Sequence, residues 1–282
     1  MNDWQKVRNI DPQSLKETRL ELHYAIQFMA AVGNFLTEPR PDYSHASLNW
    51  NSELNLFVSG FVPTEKPFQV ALEPISLTSL VLDRHGNKLG ELSLLQKTLD
   101  EGMNWLKRTI QALGADIAKL SFVNYPDDFP DSPFARGASF QDGDRSQRQE
   151  LTAYFANTSL ILQALVENTE GASPVHIWPH HFDIATLISL PYTQKDEAVS
   201  IGVGMSPGDG TYEEPYWYVT PWPYPNTVNL PKLPSGSIWH TENWVGAILT
   251  ASQLNQGEEQ QSQVKSFMDF AVKGSLELLE GT

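Results

Sequence analysis

Four short apolar runs, separated by turn residues, occupy positions 54–95 and limit the fold more than any other feature of the chain. These runs are LNLFVSGFV (54–62), FQVALEP (68–74), LTSLVLD (77–83) and LGELSLL (89–95), and each has the length and apolar content of a β-strand. The HGN segment at 85–87 has the composition of a tight turn between two of them. Because such short connections join antiparallel strands, we predict an antiparallel sheet in this part of the chain.

Amphipathic helices are predicted on both sides of these strands. The first begins near Asp11, which can cap it, and has Pro12 in its first turn. The second, TLDEGMNWLKRTIQALG at 98–114, places its apolar residues on one face. A further short strand, IAKLSFV, is expected at 117–123.

The second half of the chain repeats this order of elements. A helix is predicted over about 146–169, followed by strand-like segments and by a last helix from about 258 to 279. We therefore predict an α+β fold in which two similar helix–antiparallel sheet–helix halves form one compact unit. The halves cover residues 1–123 and 146–282, the Pro- and Gly-rich segment 124–145 connects them, and their likeness suggests an internal duplication.

Composition excludes several classes of function. The net charge of −15 argues against a nucleic-acid partner, whose phosphates require clustered Lys and Arg. The chain has no cysteine, which excludes disulfides, thiolate nucleophiles, zinc–thiolate sites and iron–sulfur clusters. No segment approaches the ~18 apolar residues of a membrane-spanning helix, and the N-terminus lacks the apolar core of a signal peptide. We therefore expect a cytoplasmic protein without a membrane partner.

The segment PVHIWPHHFD at 174–183 contains three of the seven histidines and is the main candidate for a functional site. If it is one β-strand, its side chains alternate between two faces, so that His181 and Asp183 share a face. An imidazole beside a carboxylate suits a metal site or an oriented general base. Pro179 disturbs the strand, and a bulge there would bring His180 and His181 toward one pocket. The spacing matches no known metal motif, and hydrogen-bonded structural histidines are the alternative.

Two further clusters follow, SPGDGTYEEPYWYVTPWP at 206–223 and WHTENW at 239–244. Glu214 suits a general base, with an exposed edge carboxylate as the alternative. Asp209 either belongs to the site or caps its own turn. The aromatic side chains suit the walls of a pocket for a sugar or another ring, or else they fill the core or an oligomer interface. No P-loop, GxGxxG or GxSxG pattern is present, so neither a nucleotide site nor a serine nucleophile is predicted.

Four sequence blocks resemble the motifs of an uncharacterised bacterial protein family that is known only as a domain of unknown function. The blocks are TRLELHYAIQ (18–27), SPVHIWPHHFDIA (173–185), EPYWYV (214–219) and WHTENWVGAIL (239–249). They are similar to the family patterns TRxxLHxxxQ, SPVHxxWxxFD and a Glu-Pro-aromatic segment, and the resemblance spans nearly the whole chain. It implies no particular activity. It shifts the emphasis from the His180–His181 pair to four other residues: His23, His176, Asp183 and Glu214.

The candidate site residues form three groups according to the role we expect for them. The catalytic candidates are His176, Asp183 and Glu214. The ligand-binding candidates are Arg19, His23, Trp178, Asp209, Trp217 and His240. The metal-ligand candidates are His181 and Asp183.

Three functions are consistent with these residues. The first is a hydrolase that uses His, Asp and Glu side chains, with a divalent metal ion as the cofactor that the pattern allows. The second is a non-catalytic protein that binds a small, sugar-like molecule in an aromatic-walled pocket. The third is a structural protein in which the His and Trp clusters form a buried network and the contact surface of a homo-oligomer.

Overall fold

A computed structural model of the chain describes residues 3–194 and 196–280. Its helices are α1 (Lys16–Ala25), α2 (Gln27–Leu36), α3 (Leu99–Gln111), α4 (Arg145–Asn168) and α5 (Gln260–Glu280). Its strands are β1 (Leu48–Asn51), β2 (Leu56–Ser59), β3 (Gln69–Glu73), β4 (Thr78–Leu82), β5 (Lys88–Ser93), β6 (His176–Trp178), β7 (Asp183–Gln194), β8 (Glu197–Ser206), β9 (Tyr216–Trp222), β10 (Ile238–His240) and β11 (Gly246–Thr250). This content confirms the predicted α+β class.

The chain divides into two compact units. The amino-terminal unit contains residues 17–152 together with 176–182. The carboxy-terminal unit contains the chain up to Lys16, residues 153–175 and the chain from Asp183 onward. The segment 124–145 lies inside the amino-terminal unit, and the internal duplication stays a prediction.

Six antiparallel strands form the sheet of the amino-terminal unit, in the order β6–β1–β2–β3–β4–β5. Helix α2 packs against β2, β3 and α3, and its residues Phe28, Met29 and Val32 are buried. These apolar side chains remove one face of the sheet from water, which is the main source of stability for such a layer.

Local sequence signals predict this unit well, with two exceptions. Helix α3 begins at a capping box formed by Thr98 and Glu101, and strands β3, β4 and β5 lie in the predicted runs. The prediction of a strand at 117–123 is wrong, because this segment has no strand partner and follows the turn at Gly114. Strand β1, which pairs with β2, was not predicted, because its alternating polar residues give a weak apolar signal.

Five antiparallel strands form the sheet of the carboxy-terminal unit, in the order β7–β8–β9–β11–β10. Helix α5 packs on β8, β9 and β11, where Val264, Phe267 and Met268 are buried. On β9, alternate residues point to opposite faces, so that Trp217 is buried and Tyr218 lies on the other face. None of the helices within residues 3–194 and 196–280 is long and apolar enough to cross a membrane.

Candidate metal site and its surroundings

The histidine-rich segment is not one continuous strand, as the sequence pattern suggested. Strand β6 ends at Trp178, and residues 179–182 form a turn that the Phe182 backbone N–H closes by donating to the Trp178 carbonyl at 2.7 Å. Pro179 has no backbone N–H and so cannot continue the ladder. Strict alternation of faces therefore does not hold in this segment, and the interruption expected at Pro179 places His180 and His181 together, on a turn rather than a bulge.

A buried residue holds the last position of the turn. Phe182 has a left-handed backbone with φ 59°, a conformation that costs about 1 kcal/mol for a residue with a Cβ. Its fully buried ring stacks on His23 at a centroid distance of 5.3 Å and also contacts Phe57 at 5.6 Å. Burial of an aromatic ring stabilises by more than this cost, so packing fixes the turn.

His23 on α1 and Gln27 on α2 hydrogen-bond to the turn on its buried side. The His23 Nε2 atom lies 2.8 Å from the Pro179 carbonyl oxygen, and the Gln27 side-chain amide donates to the same oxygen at 3.0 Å. The pKa of His23 is lowered to about 3, mainly by burial and in smaller part by the nearby positive charge of Arg19. His23 is therefore neutral at physiological pH and donates its Nε2–H to Pro179. Arg19, itself buried, lies one helical turn away.

Asp128 joins the two histidines of the turn. One ligand atom each from Asp128, His180 and His181 lies within 4.8 Å of the others. The His180 Nε2 atom is 2.9 Å from Asp128 Oδ1, and the His180 and His181 rings stack at 4.1 Å. The hydrogen bond from His180 lowers the pKa of Asp128, so that this carboxylate is charged. Two imidazoles and one carboxylate are a donor set that divalent transition metals bind.

Aromatic residues of the 124–130 loop hold His180 in place. The Tyr125 ring stacks on His180 at 5.2 Å with an interplanar angle of 2°, and on Phe129 at 4.8 Å with an angle of 14°. Phe129 in turn contacts the His23 ring at 4.8 Å. The histidine that bonds Asp128 therefore rests on a stack of rings that is tied to the buried support of the turn.

His176, a predicted catalytic residue, lies at the start of β6 and faces a different part of the same unit. Its Nδ1 atom is 2.9 Å from the Ser47 hydroxyl, and its ring contacts Trp178 edge-on at 5.6 Å. Burial lowers the pKa of His176, so that it is neutral at physiological pH. It lines a cleft of about 440 Å³ together with Arg40 and His45.

Asp183, predicted as a catalytic residue and metal ligand, begins β7 in the carboxy-terminal unit. Its Oδ2 accepts a hydrogen bond from the Tyr218 hydroxyl, which reaches across β8. Gly204 on β8 makes this reach feasible, because a Cβ there would lie 2.7 Å from the Tyr218 hydroxyl and 2.6 Å from the Ile184 carbonyl oxygen. Burial, together with the charge of Asp183, raises the pKa of Tyr218 well above its usual value.

Asp209 caps its own turn and binds a second tyrosine of β9. Its Oδ1 accepts from the backbone N–H groups of Thr211 at 2.6 Å and Tyr212 at 2.8 Å. Its Oδ2 accepts from the Tyr216 hydroxyl at 2.6 Å. Burial is the main cause of the raised pKa of Tyr216, to which Asp209 adds. The turn-capping alternative for Asp209 is thus what the geometry shows.

The other predicted residues of this unit also have partners within the protein. Glu214 is buried and its Oε2 accepts from the Ser252 backbone N–H at 2.6 Å. His240 Nδ1 lies 3.0 Å from the Tyr212 hydroxyl, and its Nε2 bonds the Glu242 carbonyl oxygen. The buried Trp217 donates from Nε1 to the Thr158 hydroxyl at 2.9 Å. Each of these contacts fixes a strand end, a turn or the helix packing.

Sequence reasoning missed Asp128 and Tyr125 and gave little weight to His180. Asp128 lies in the segment PDDFPDSP, whose polar residues predict an exposed loop with solvated carboxylates. Its contact with His180 spans 52 residues of chain, so no local pattern could pair them. The available signal was Pro179, which predicts an interruption of the strand between His176 and His181.

A family model matches residues 8–278, and it describes a family of unknown function, DUF5996. No curated protein and no solved structure matches the chain. The match covers nearly the whole chain, in agreement with the resemblance of the four sequence blocks. The chain therefore belongs to DUF5996, a family of unknown function.

Proposed function

We propose that this protein binds a divalent transition-metal ion such as Zn²⁺ through Asp128, His180 and His181, and that it uses the ion to hydrolyse a substrate. The observation that carries the proposal is the convergence of three ligand atoms within 4.8 Å. Metal ligation by two histidines and a carboxylate is common in hydrolytic zinc sites.

The geometry of the turn suits metal ligation. Nitrogen and oxygen ligands at ~2.1 Å from a tetrahedral ion lie about 3.4 Å apart. The His180 Nε2 to Asp128 Oδ1 distance of 2.9 Å is close to that value. His181 is exposed, so its ring can rotate toward an ion without disturbing the core. The net charge of −15 also favours the approach of a cation.

Asp128, His180 and His181 would supply three ligands, the number that catalytic rather than structural zinc sites take from the protein. A bound ion would supply an activated water at near-neutral pH for attack on the acyl carbon of the substrate, with a proton passing to the group that leaves. A neutral ester or amide suits an acidic protein better than an anionic substrate does.

The first experiment measures metal binding directly. Full-length protein treated with chelator and then dialysed is titrated with Zn²⁺ and with Co²⁺, and binding is followed by calorimetry and by the Co²⁺ absorption spectrum. We expect one ion per chain. Because each ligand supplies a bond to the ion, Asp128→Asn and His181→Gln should each weaken binding by about 100-fold or more.

Asp127→Asn and His85→Gln are the matched controls, since both alter exposed residues of the same types outside the ligand group. They should leave the affinity unchanged. Absence of saturable binding, or equal affinity in the control and ligand variants, would overturn the metal site.

A second experiment tests the reaction class. Hydrolysis of 4-nitrophenyl acetate is followed with chelator-treated protein, with protein reloaded with Zn²⁺, and with the His181→Gln variant. We expect hydrolysis to require both the metal and His181. If metal binds but hydrolysis is the same in all three samples, the site binds metal without this reaction.

A further inference from the structure

An aromatic-walled pocket lies beside the candidate metal ligands in the amino-terminal unit. Its volume is about 310 Å³, near the lower end of the range for small-molecule sites. Its walls include the rings of Tyr24, Phe122, Tyr125 and Phe129. Flat rings on several sides favour a planar ligand, because aromatic faces stack on one another.

Gln27, which also lines this pocket, has an oxygen atom without a partner. The residue is 5% exposed, and its Nε2 donates to the carbonyl oxygens of His23 at 2.9 Å and Pro179 at 3.0 Å. These two donations fix which end of the amide is nitrogen. The Oε1 atom is buried and has no hydrogen-bond partner among the described residues. A buried acceptor without a donor is costly, and Gln27 lines the pocket, so a ligand that supplied a donor to Oε1 would relieve this cost.

The pocket and the metal ligands share a wall. The Tyr125 ring lines the pocket and also stacks on His180, which bonds Asp128. The Tyr125 ring therefore links a molecule held in the pocket to His180, one of the side chains that we assign to the metal.

The charged groups near the pocket disfavour an anionic ligand. Asp127 and Asp128 lie in the loop that carries Tyr125 and Phe129, and both are exposed. The nearby cation Arg136 is paired with Asp131. An uncharged ring with a hydrogen-bond donor is the ligand that these walls fit.

From these observations we infer that the pocket binds a small, neutral, planar ring compound bearing an N–H donor, which bonds Gln27 Oε1. The inference rests on the proposed function in one respect: it makes a ring amide the substrate class of the metal site. The binding of the ring itself does not require the metal.

The test compares two probes of nearly equal size, benzamide and acetophenone, which differ in having NH₂ or CH₃ next to the carbonyl group. Binding to chelator-treated, full-length protein is measured by ligand-observed NMR. We expect benzamide to bind about tenfold more tightly, because only its amide can donate to Gln27. Gln27→Met should remove this difference.

Ala135→Trp is a second variant, which tests the pocket without substituting a buried residue. Ala135 lines the pocket but is exposed, so a larger side chain there should block both probes without unfolding the protein. Gln141→Met, at an exposed glutamine, is the control and should bind both probes normally. Equal affinity for the two probes, or benzamide binding that survives both pocket variants, would overturn the inference.

The outcome is separable from that of the metal experiment. Benzamide binding without any metal binding would contradict only the proposed function. Metal binding that depends on His181, together with no preference for benzamide, would contradict only the ring pocket.

Discussion

The turn at 179–182 and the face of β7–β9 that carries Asp183 and Tyr218 contain the same kinds of residue. They differ in whether their polar atoms are hydrogen-bonded within the protein. In the carboxy-terminal unit, Asp183 accepts from Tyr218 across the strands, and Asp209, in the turn after β8, accepts from the Tyr216 hydroxyl and from two backbone N–H groups of its turn. On the turn, His181 is exposed and has no hydrogen bond to its ring nitrogens within residues 3–194 and 196–280. The first region uses its polar groups for structure, whereas the second leaves ligand atoms accessible.

This difference shows that the density of His, Asp and aromatic residues does not by itself identify a site. A polar group that is buried must find a partner, and its partner is then part of the fold. A polar group that stays accessible beside others of suitable chemistry is available to a ligand. Structural and ligand-binding polar groups therefore differ in whether the fold supplies their hydrogen-bond partners, and amino-acid composition does not reveal this.

The largest expected effect is a change in the free energy of unfolding with pH. It arises from His23, the buried histidine that bonds Pro179 of the turn. The pKa of His23 is about 3 in the folded protein and 6.5 in the unfolded chain, so the unfolded state binds a proton first as the pH falls. The stabilisation of the fold by neutral His23 is complete above pH 6.5 and is lost progressively as the pH falls toward 3. Between pH 6.5 and 4.5 the free energy of unfolding should fall by about 2.3 kcal/mol from this group.

Urea denaturation in the presence of chelator, at several pH values, measures this effect. His23→Gln is the comparison, because it removes the titrating group and keeps a side-chain donor. The difference in stability between the two proteins should shrink as the pH falls. A constant difference over this range would contradict a buried neutral histidine.

The next effect concerns the close approach of Tyr218 to β8. Gly204→Ala adds a Cβ that meets two backbone or side-chain neighbours at less than 2.8 Å, so we expect a loss of about 2 kcal/mol in unfolding free energy. Gly210→Ala is the control, since a Cβ there has no atom within 4 Å. Thermal and urea unfolding of both variants measure the contrast, and equal stabilities would show that the strand face adapts freely.

A smaller effect is expected when the Tyr218 hydroxyl is removed. Tyr218→Phe deprives Asp183 of a donor and should lower the free energy of unfolding by about 1.5 kcal/mol. Tyr224→Phe, at an exposed tyrosine, should change it by less than about 0.5 kcal/mol. If Tyr218→Phe proved as neutral as the control, the polar network of the strand face would not be structural.

The smallest effect is expected on the turn itself. In chelator-treated protein, His181→Ala should change the free energy of unfolding by less than about 0.5 kcal/mol, because the side chain is exposed. The same variant should lose metal affinity. A stability loss above about 1 kcal/mol would instead assign His181 to the structure, and the contrast between the two regions would disappear.

Most helices and strands could be predicted from the sequence because their signals are local. The capping residues Thr98 and Glu101 mark the start of α3, and the apolar runs at 68–74 and 77–83 mark β3 and β4. Such patterns depend on neighbours within one or two turns or on alternate residues of a strand. The strand predicted at 117–123 failed because an apolar run forms a strand only when a partner strand lies beside it.

The segment that carries two of the candidate metal ligands could be identified from the sequence, but the set of three could not. The histidine-rich segment was the main candidate, and it does contain His180 and His181. Strict alternation fails there, whereas the interruption expected at Pro179 does occur and brings His180 and His181 together, in a turn rather than a bulge. The partner Asp128 could not be identified, because the loop that carries it gives no sign of where it folds.

The sequence by itself determined the α+β class, the antiparallel pairing of neighbouring strands and the region in which reactive side chains are concentrated. Those properties follow from periodicity, turn residues and composition, which act over short stretches of chain. Only the tertiary structure decided that Asp183 and Asp209 bind tyrosines while Asp128 meets His180. Such pairings join residues far apart in sequence, and burial rather than residue type determines which polar groups must be satisfied within the fold.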